Sequence, residues 1–266
     1  MATKPETTHW NAEVYDRIGT PMRRWAQAVI DDLDLRGDEL VLDAGCGSGS
    51  VTFDLLERLP HGRIYAVDSS PEMIAKISRA IEERGITNVT PIRASLTDFE
   101  LPEQVEVVFS NAVLHWIPDD DALFGCLLRA TKPGGRFRAQ CGGGANIARL
   151  MEVTQAVEKL EPFVRYLDGS AEFRKQRTAE QAKAAMERAG WNDVRASLFD
   201  SPVRFDSHDE AALYLRTIIL QRHVAALPEE HQESFLREVI AETIGRFGEP
   251  FTADYVRLDL WARRPV

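Results

Sequence analysis

The chain has 266 residues, of which 44% are hydrophobic, and its 42 acidic and 32 basic residues give a formal net charge of -10. This hydrophobic content supports a sizeable core, whereas the negative charge disfavours a nucleic acid as partner. Cys46, Cys126 and Cys141 are too scattered for a disulfide framework or a metal site. The amino terminus lacks an apolar signal core, and no run approaches the roughly 18 apolar residues of a membrane span. We therefore expect a cytoplasmic protein with no metal, no nucleic-acid partner and no membrane segment.

Short β-rich runs alternate with helical segments between residues 39 and 148. The predicted strands are ELVLDA, RIYAVD, NVTPIRAS and VEVVFSNAV, and a KPGG turn then leads into the strand RFRAQC. The predicted helices between them are VTFDLLERL, SSPEMIAKISRAIEERG and residues 119–130. Ser69 and Glu72 form a candidate capping box at the start of the second helix. Alternation at this spacing predicts a parallel, doubly wound sheet.

The pattern changes after Cys141. Helical segments are predicted in GGGANIARLMEVTQAVEKL, in AEQAKAAMERAG, and at residues 209–226 and 229–247. WNDVRASLFDSPVRF and DYVRLDLWARR read as late strands. We therefore predict an α/β fold with a doubly wound, Rossmann-like, mainly parallel sheet, a C-terminal antiparallel strand and an inserted helical cap.

A glycine-rich turn follows the first strand, in VLDAGCGSGS. Gly45, Gly47 and Gly49 let the backbone turn sharply and approach a ligand at the carboxyl end of a strand, although a tight connection without a ligand is the structural alternative. The spacing is GxGxG, with Ser50 where a dinucleotide fingerprint has its third glycine. Asp43 precedes the turn and would repel a pyrophosphate. The same carboxylate suits S-adenosylmethionine, which carries an ammonium and a sulfonium but no phosphate.

Asp68 ends the second strand, about 20 residues beyond the glycine turn, the offset typical of an acidic ribose contact. A carboxylate there can accept hydrogen bonds from both ribose hydroxyls. Its structural alternative is to cap the following helix, a role that Ser69 or Ser70 also fits. We predict the ribose role.

Four segments together resemble class I S-adenosylmethionine-dependent methyltransferases: VLDAGCGSG, AVDSSPEMI, VVFSNAVLHWI and KPGGRF. WNAEVYDRIG and SNAVLHWIPDDDALF are most similar to trans-aconitate methyltransferases and, more loosely, to malonyl-carrier-protein methyltransferases, which methylate carboxyl oxygens of small molecules. The resemblance implies S-adenosyl-L-methionine as cofactor, with S-adenosyl-L-homocysteine as product. It also implies cofactor contacts by Asp43, Gly45, Gly47, Asp68 and Asn111.

The adenine contact departs from the pattern of this family. Many members have an acidic residue after the third strand, whereas IRASLTDF has Ser95 there and Asp98 further on. The hydroxyl of Ser95 or the backbone around Leu96 are the alternatives, and Met73 is either an adenine contact or helix core. The predicted cofactor-binding residues are Tyr15, Asp43, Gly45, Gly47, Gly49, Asp68, Ser69, Met73, Ser95, Leu96 and Asn111.

The segment NAVLHWI follows the fourth strand and is predicted to face both cofactor and substrate. Asn111 can bind the methionine end of the cofactor, or cap the strand end. His115 is the candidate catalytic residue, as a base or as a hydrogen-bond donor to substrate, and a structural histidine is the alternative. Trp116 is a candidate wall of the substrate pocket. A carboxylate acceptor is ionised at neutral pH and needs no general base.

Two further regions supply candidate substrate contacts. Trp10 and Tyr15 lie on an amino-terminal segment that the resemblance identifies as a lid, whereas composition alone predicts a packed terminal helix. The glycine run at residues 142–144 is a candidate hinge. A basic stretch and a helical arginine could meet an anionic substrate, with solvated surface charge as the alternative. The basic stretch contains Arg165, Arg174, Lys175 and Arg177, and the helical arginine is Arg222, which shares its predicted helix with Arg216 and His223. The predicted substrate contacts are Trp10, His115, Trp116, Arg165 and Arg222.

These predictions divide the chain into four regions. They are an N-terminal helical lid (residues 1–30), a cofactor-binding core (31–142), later core elements with a helical substrate cap (143–253) and a final core strand (254–266). The leading function is methylation of a small molecule at a carboxylate oxygen, with an anionic substrate as the candidate partner. The alternatives are O-, N- or C-methylation of another metabolite, an NAD(P)-dependent oxidoreductase, and a non-catalytic nucleoside-binding module.

Overall fold

The computed structural model describes residues 20–167 and 174–266. The predicted contacts Trp10 and Tyr15 lie outside the described residues. The chain divides into two compact units. The described residues of the sheet unit are 20–144, 174–199 and 257–266, and those of the helical unit are 145–167 and 200–256. Residues 174–199, which fall in the predicted region of later core elements and cap (143–253), belong to the sheet unit.

The elements follow one another in the predicted alternation. The first half of the chain contains α1 (Thr20–Asp31), β1 (Leu40–Ala44), α2 (Ser50–Leu56), β2 (Arg63–Asp68), α3 (Pro71–Arg84), β3 (Val89–Arg93), β4 (Val105–Asn111), a 3-10 turn (Leu114–Trp116), α4 (Asp120–Ala130) and β5 (Thr131–Gly142). The second half contains α5 (Ala148–Val157), a 3-10 turn (Phe163–Arg165), α6 (Ala179–Arg188), β6 (Asn192–Asp200), β7 (Val203–Arg204), α7 (His208–Tyr214), a π turn (Leu215–Ile219), α8 (Gln221–Ala226), α9 (Glu229–Phe247), β8 (Thr252–Ala253) and β9 (Val256–Arg263). No helix among these described residues is long and apolar enough to cross a membrane.

The sheet unit is built on a seven-stranded sheet with the order β3-β2-β1-β4-β5-β9-β6. The pairs β1–β2, β1–β4, β2–β3 and β4–β5 are parallel, whereas β9 runs antiparallel to β5. The predicted doubly wound, mainly parallel sheet with a C-terminal antiparallel strand is therefore confirmed. We call the edge at which β1, β2, β4 and β5 end the carboxyl edge, and the opposite edge the amino edge.

Hydrophobic cores lie on both faces of this sheet, because successive residues of a strand point to opposite faces. In β1, Leu40 and Leu42 belong to the core that contains residues of α4 and α6. Val41 belongs to the other core, which contains residues of α1, α2 and α3. Burial on both faces explains why the parallel strands are continuously apolar rather than alternating.

The helix α3 begins one residue later than the predicted capping box. Its N-cap is Ser70, whose side chain accepts a hydrogen bond from the backbone N–H of Met73 at 3.3 Å, so the assignment of the cap to Ser69 was wrong. Ser69 itself is exposed. Pro71 occupies the first turn, and Gly85 ends the helix in the left-handed conformation with φ 63°, as expected for a glycine C-cap.

Three segments differ from their predicted form. The KPGG segment is not a separate turn but lies within β5, where the pairing with β4 shifts register after Val105. The predicted strand at residues 191–205 is split, since β6 ends at Asp200 and β7 pairs with β8 in a separate two-stranded sheet. The helix predicted at residues 209–226 is interrupted at Leu220 after the π turn. Pattern alone locates such segments but does not register these local irregularities.

The helical unit packs α9 against α5 and α7. The backbone N–H groups of Arg149 and Leu150, at the start of α5, donate to the carboxylate of Asp254 at 2.8 and 3.2 Å. The hydroxyls of Tyr214 and Tyr255 lie 2.8 Å apart and are buried. Asp254, which is distant in sequence, accepts from the amides of the first turn of α5, because α5 has no side-chain N-cap of its own.

Candidate active site

The glycine turn is attached to the end of β2 by three backbone donors. The N–H groups of Gly45 and Cys46 donate to the carbonyl of Val67 at 2.8 and 3.0 Å. The N–H of Gly47 donates to Oδ2 of Asp68 at 3.0 Å. The predicted turn and the predicted ribose contact therefore lie side by side at the carboxyl edge.

Glycine is favoured at the three positions of the turn for different physical reasons. All have positive φ, of 88° at Gly45, 55° at Gly47 and 91° at Gly49, where a side chain is unfavourable. A Cβ at Gly45 would lie 2.3 Å from Cγ2 of Val113, and one at Gly49 would lie 2.5 Å from Cγ1 of Ile77. A Cβ at Gly47 would meet no atom within 4 Å. Gly45 and Gly49 are thus required by packing, whereas Gly47 borders open space that a ligand could occupy.

Asp68 uses both carboxylate oxygens to hold backbone. Besides accepting from Gly47, it accepts from the N–H of Ser70 through Oδ1 at 2.8 Å. Burial raises the pKa of Asp68, and its hydrogen bonds from backbone N–H groups oppose that rise. Each carboxylate oxygen retains a further lone pair. Asp68 can therefore position the turn and still accept hydrogen bonds from a ligand.

Asp43 is a buried carboxylate with 2% exposure. Burial raises its pKa to about 7, against the lowering effect of a 2.7 Å hydrogen bond from the hydroxyl of Thr52, and the charge of Asp68 raises it further. No cationic side chain of the described ranges forms an ion pair with Asp43 or Asp68. The two carboxylates give this half of the carboxyl edge a negative potential that a bound cation would relieve.

Asn111 ends β4 with one amide atom satisfied and one not. Its Nδ2 donates to the carbonyl of Met22 in α1 at 3.2 Å. Its Oδ1 is buried and accepts no hydrogen bond from the residues that the structure describes. A buried acceptor without a donor costs free energy, of order 1–3 kcal/mol. Asn111 therefore suits a ligand that donates a hydrogen bond, as an ammonium group does.

Ala112 follows Asn111 in the left-handed region, with φ 60°. For a residue with a side chain, this conformation costs about 1–3 kcal/mol and is concentrated at functional sites. Its N–H donates to the carbonyl of Gln140 at 2.7 Å, which fixes the turn that leads to Leu114–Trp116. The sequence analysis missed Ala112, because no residue type at that position signals a positive φ.

His115 is buried at 7% exposure, and its Nδ1 accepts a hydrogen bond from the N–H of Gly142 at 3.3 Å. Burial lowers the pKa of His115 well below its usual value, and the charges of Arg257, Arg174 and Arg177 lower it further. The ring is therefore neutral. Since Nδ1 is an acceptor, the proton lies on Nε2, which can donate to a ligand. Of the two predicted roles, this tautomer favours hydrogen-bond donor over base.

The arginines near His115 divide into one structural residue and two candidates. Arg177 is buried at 2% exposure and donates to the carbonyls of Leu114 and Ile117 at 2.8 and 2.7 Å, and it also pairs with Asp120. Arg177 is therefore not the solvated surface charge that was one of its two alternatives, because it is buried and holds the segment that carries His115. The guanidinium of Arg174 lies over the ring of Trp116, 4.9 Å from its centre.

Arg257 is the cation that the sequence analysis missed. It is the second residue of the antiparallel strand β9 and lies opposite Gly142, so it lies at the carboxyl edge. Its side chain is 2% exposed, stacks 4.1 Å from the centre of the Trp25 ring, and donates from Nε to Gln140 at 3.4 Å. The alternation of DYVRLDLWARR predicts a strand, but it does not show that its first arginine reaches the end of β5.

The remaining predicted residues lie as follows. Met73 is buried in α3, and Leu96 has its side chain in the core beside α4. Ser95 is exposed, with its hydroxyl 2.7 Å from that of Thr97. In the helical unit, Arg165 is exposed and donates to Glu161 at 2.6 Å, and Arg222 is exposed on α8. Their roles as cofactor or substrate contacts remain predictions.

The glycine run after β5 has a packing role in the sheet unit. A Cβ at Gly143 would lie 2.6 Å from Cβ of Leu258 and 2.8 Å from the carbonyl oxygen of Arg177. The N–H of Gly144 donates to the same carbonyl at 2.9 Å. Close approach of two backbone segments therefore explains Gly143, and the hinge role stays a prediction.

The sheet order β3-β2-β1-β4-β5-β9-β6, the antiparallel β9 and the glycine turn at the carboxyl edge can now be compared with known proteins. Residues 41–135 match the family described as a methyltransferase domain. This match spans the glycine turn, the end of β2 and Asn111. The predicted resemblance to class I S-adenosylmethionine-dependent methyltransferases is confirmed.

Several curated relatives are about one-third identical to this chain over the residues that align. Trans-aconitate 2-methyltransferase of Azoarcus sp. (strain BH72) is 33% identical over 131 residues, which are 49% of this chain and 50% of the relative. The protein of the same name from Mycobacterium tuberculosis (strain H37Ra) is 32% identical over 158 residues, 59% of this chain and 58% of the relative. The chain thus spans about half the length of these relatives.

One solved structure shows the likeness of fold over nearly the whole chain. It is Haemonchus contortus phosphoethanolamine N-methyltransferase 2, in complex with phosphomonomethylethanolamine and S-adenosylhomocysteine. The match has a TM-score of 0.64 at 16% identity and covers 96% of this chain and 57% of that one. The structural match establishes a shared fold, whereas an identity this low leaves the substrate open.

Proposed function

We propose that this chain is an S-adenosyl-L-methionine-dependent methyltransferase that methylates a small molecule at a carboxylate oxygen. The observation that carries the cofactor is the buried Oδ1 of Asn111, an acceptor that needs a donor at the carboxyl edge. The methyltransferase domain and the complexes of its structural neighbours with S-adenosyl-L-methionine or S-adenosylhomocysteine support the same cofactor.

The residues of the negative half of the edge fit this cofactor. Asn111 and Asp43 would hold the ammonium end, Asp68 would accept from the ribose hydroxyls, and Gly47 leaves room for close approach of the backbone. When bound, the cofactor supplies a methyl group on a positively charged sulfur. Since no cationic side chain within residues 20–167 and 174–266 pairs with Asp43 or Asp68, a diphosphate is disfavoured there.

The arginines of the other half of the carboxyl edge indicate which kind of methyl acceptor would bind. The charges of Arg257, Arg174 and Arg177 all lower the pKa of His115. These arginines create a positive environment in a chain of net charge -10. Such an environment favours an anionic acceptor, and the trans-aconitate 2-methyltransferases among the relatives agree with a carboxylate. We infer that Arg257 binds a carboxylate of the acceptor and that His115 donates to it through Nε2.

This arrangement requires no general base. A carboxylate is already ionised at neutral pH, so the residues have only to hold the acceptor in line with the methyl group and exclude water. A neutral His115 is a poor proton acceptor through Nδ1, because that atom already accepts from Gly142. The chemistry that remains is positioning by charge and hydrogen bonds.

The test is methyl transfer from radiolabelled S-adenosyl-L-methionine to panels of carboxylic acids, phenols and amines. We expect labelled methyl esters from carboxylic acids. Transfer to amines or phenols alone would replace the proposed acceptor with another metabolite class. Cofactor binding without transfer to any panel member would favour a non-catalytic nucleoside-binding module.

The cofactor site has its own test in Asn111→Ala. Loss of the acceptor for an ammonium donor, a bond of roughly 1.5–3 kcal/mol, should weaken binding of S-adenosyl-L-methionine about 10- to 100-fold by calorimetry. Asn88→Ala is the matched control, since the Nδ2 of Asn88 donates to the carbonyl of Gly62 away from the site, at 3.1 Å. Equal affinity in Asn111→Ala and wild type, both folded by circular dichroism, would reject the assignment.

A further inference from the structure

A cavity of about 270 Å³ opens at the amino edge, at the far end of the strands from the glycine turn. It lies where β1, β4 and β5 begin and where β9 ends. Its charged lining consists of Arg36, Glu39, Glu106, Lys132, Arg136 and Arg263. None of these residues takes part in the proposed methyl transfer.

Both carboxylates of the cavity are already occupied by the protein. Glu39 accepts from the N–H groups of Arg36 and Gly37 at 2.9 and 3.0 Å, and from Nη2 of Arg136 at 3.1 Å. Glu106 accepts from the N–H of Leu40 at 2.7 Å and pairs with Lys132. The lining of the cavity therefore contains two carboxylates and four cationic side chains. Both carboxylates already accept hydrogen bonds from the protein itself.

Arg136 and Arg263 form a like-charged pair across the sheet. They lie directly opposite each other in the antiparallel pair of β5 and β9, an arrangement in which like charges destabilise the pairing. Arg136 is compensated by Glu39 and by the carbonyls of Leu33 and Asp34, at 3.0 and 3.1 Å. Arg263 forms no ion pair with any carboxylate of the described residues, and its guanidinium stacks 5.2 Å from the centre of the Trp261 ring. An anion in the cavity would relieve this repulsion.

We propose that the cavity is a second, non-catalytic site that binds a small multivalent anion carrying phosphate or carboxylate groups. Arginine suits both groups, because its planar fork donates two parallel hydrogen bonds to either. The volume is below the range typical of drug-sized ligands, which favours a compact anion. The backbone N–H of Gly134 is not available to it, because it already donates to the carbonyls of Arg264 and Pro265, at 3.1 and 3.4 Å.

The test is calorimetric titration of the full chain with pyrophosphate and, separately, with citrate, at low ionic strength. These probes distinguish phosphate from carboxylate recognition. We expect one saturable site for at least one probe, and Arg263→Gln should weaken that binding about tenfold or more. The control is Arg195→Gln, because Arg195 also stacks on Trp261, 4.9 Å from its ring centre, without lining the cavity.

Thermal unfolding provides a second readout that does not depend on calorimetric heats. Without an anion at low salt, Arg263→Gln should unfold at a higher temperature than wild type, since one of two opposed charges is removed. Saturating probe should raise the midpoint of wild type more than that of the variant. No binding of either probe, or equal binding by wild type and Arg263→Gln, would overturn the proposal. Unaltered binding of S-adenosyl-L-methionine in Arg263→Gln separates this outcome from the test of the proposed function.

Discussion

The carboxylates at the two edges of the sheet have pKa values that are shifted in opposite directions. At the carboxyl edge, burial raises the pKa of Asp43 to about 7 and also raises that of Asp68. At the amino edge, burial works to raise the pKa of Glu39 and Glu106, but backbone N–H groups and nearby cations outweigh it and lower both values. The amino-edge carboxylates are thus ionised and compensated by protein groups, whereas no cation of the described residues compensates Asp43 or Asp68, so a cationic ligand would favour their ionised forms. Buried groups with strongly shifted pKa values, such as Asp43, are often found at functional sites.

The largest expected effect separates packing from binding within the glycine turn. Gly45→Ala places a Cβ 2.3 Å from Val113 at φ 88°, so we expect a loss of about 2–4 kcal/mol in the free energy of unfolding. Gly47→Ala has open space and should cost only about 1 kcal/mol, yet weaken binding of S-adenosyl-L-methionine. Urea unfolding and calorimetry measure both quantities. Equal stability losses in the two variants would show that the turn is uniformly structural.

The positive half of the carboxyl edge is tested by Arg257→Gln. Loss of a charge-assisted hydrogen bond should lower kcat/KM for a carboxylate acceptor about 10- to 100-fold, with binding of S-adenosyl-L-methionine little changed. Arg195→Gln, an exposed arginine on β6, serves as control. If Arg257→Gln left kcat/KM unchanged, the inferred contact to the acceptor would be wrong.

The raised pKa of Asp43 predicts a pH dependence with a definite sign. A bound ammonium favours the ionised carboxylate, so affinity for S-adenosyl-L-methionine should rise with pH and gain about fivefold between pH 6 and 7. The unliganded protein should respond in the opposite direction. Protonation of Asp43 in the folded state stabilises it below pH 4, and this contribution is lost as pH rises towards 7. Asp43→Asn should flatten both profiles, and an equally steep affinity profile in that variant would contradict the assignment.

The smallest effect is expected at the exposed ion pairs of the amino edge. Arg36 bonds to Asp38 at 3.3 Å with 69% and 63% of the two side chains exposed. Solvent screening limits such a pair to about 0–1 kcal/mol. Arg36→Ala should therefore change the free energy of unfolding by less than about 1 kcal/mol, measured by urea unfolding. A loss larger than the one caused by Gly47→Ala would mean that this edge contributes more than paired surface charge.

The sequence predicted the sheet and half of its carboxyl edge, because those features are local. Strand periodicity gave β1, β2 and β4, and the residues at their ends, Asp43, Asp68 and Asn111, follow from where the strands stop. Arg257 and the positive φ of Ala112 escaped prediction. The first reaches the site only through pairing of β9 with β5, and the second is a backbone property that an alanine does not signal. The structural role of Arg177 also escaped prediction, because its carbonyl partners are 63 and 60 residues away along the chain.

The most direct measurement compares binding of S-adenosyl-L-methionine and NAD+ to the wild-type chain under identical conditions. The negative half of the carboxyl edge predicts saturable, one-to-one binding of S-adenosyl-L-methionine and no detectable binding of NAD+, whose pyrophosphate would meet Asp43 and Asp68. Binding of NAD+ without S-adenosyl-L-methionine would contradict the proposed cofactor and favour an oxidoreductase built on the same sheet.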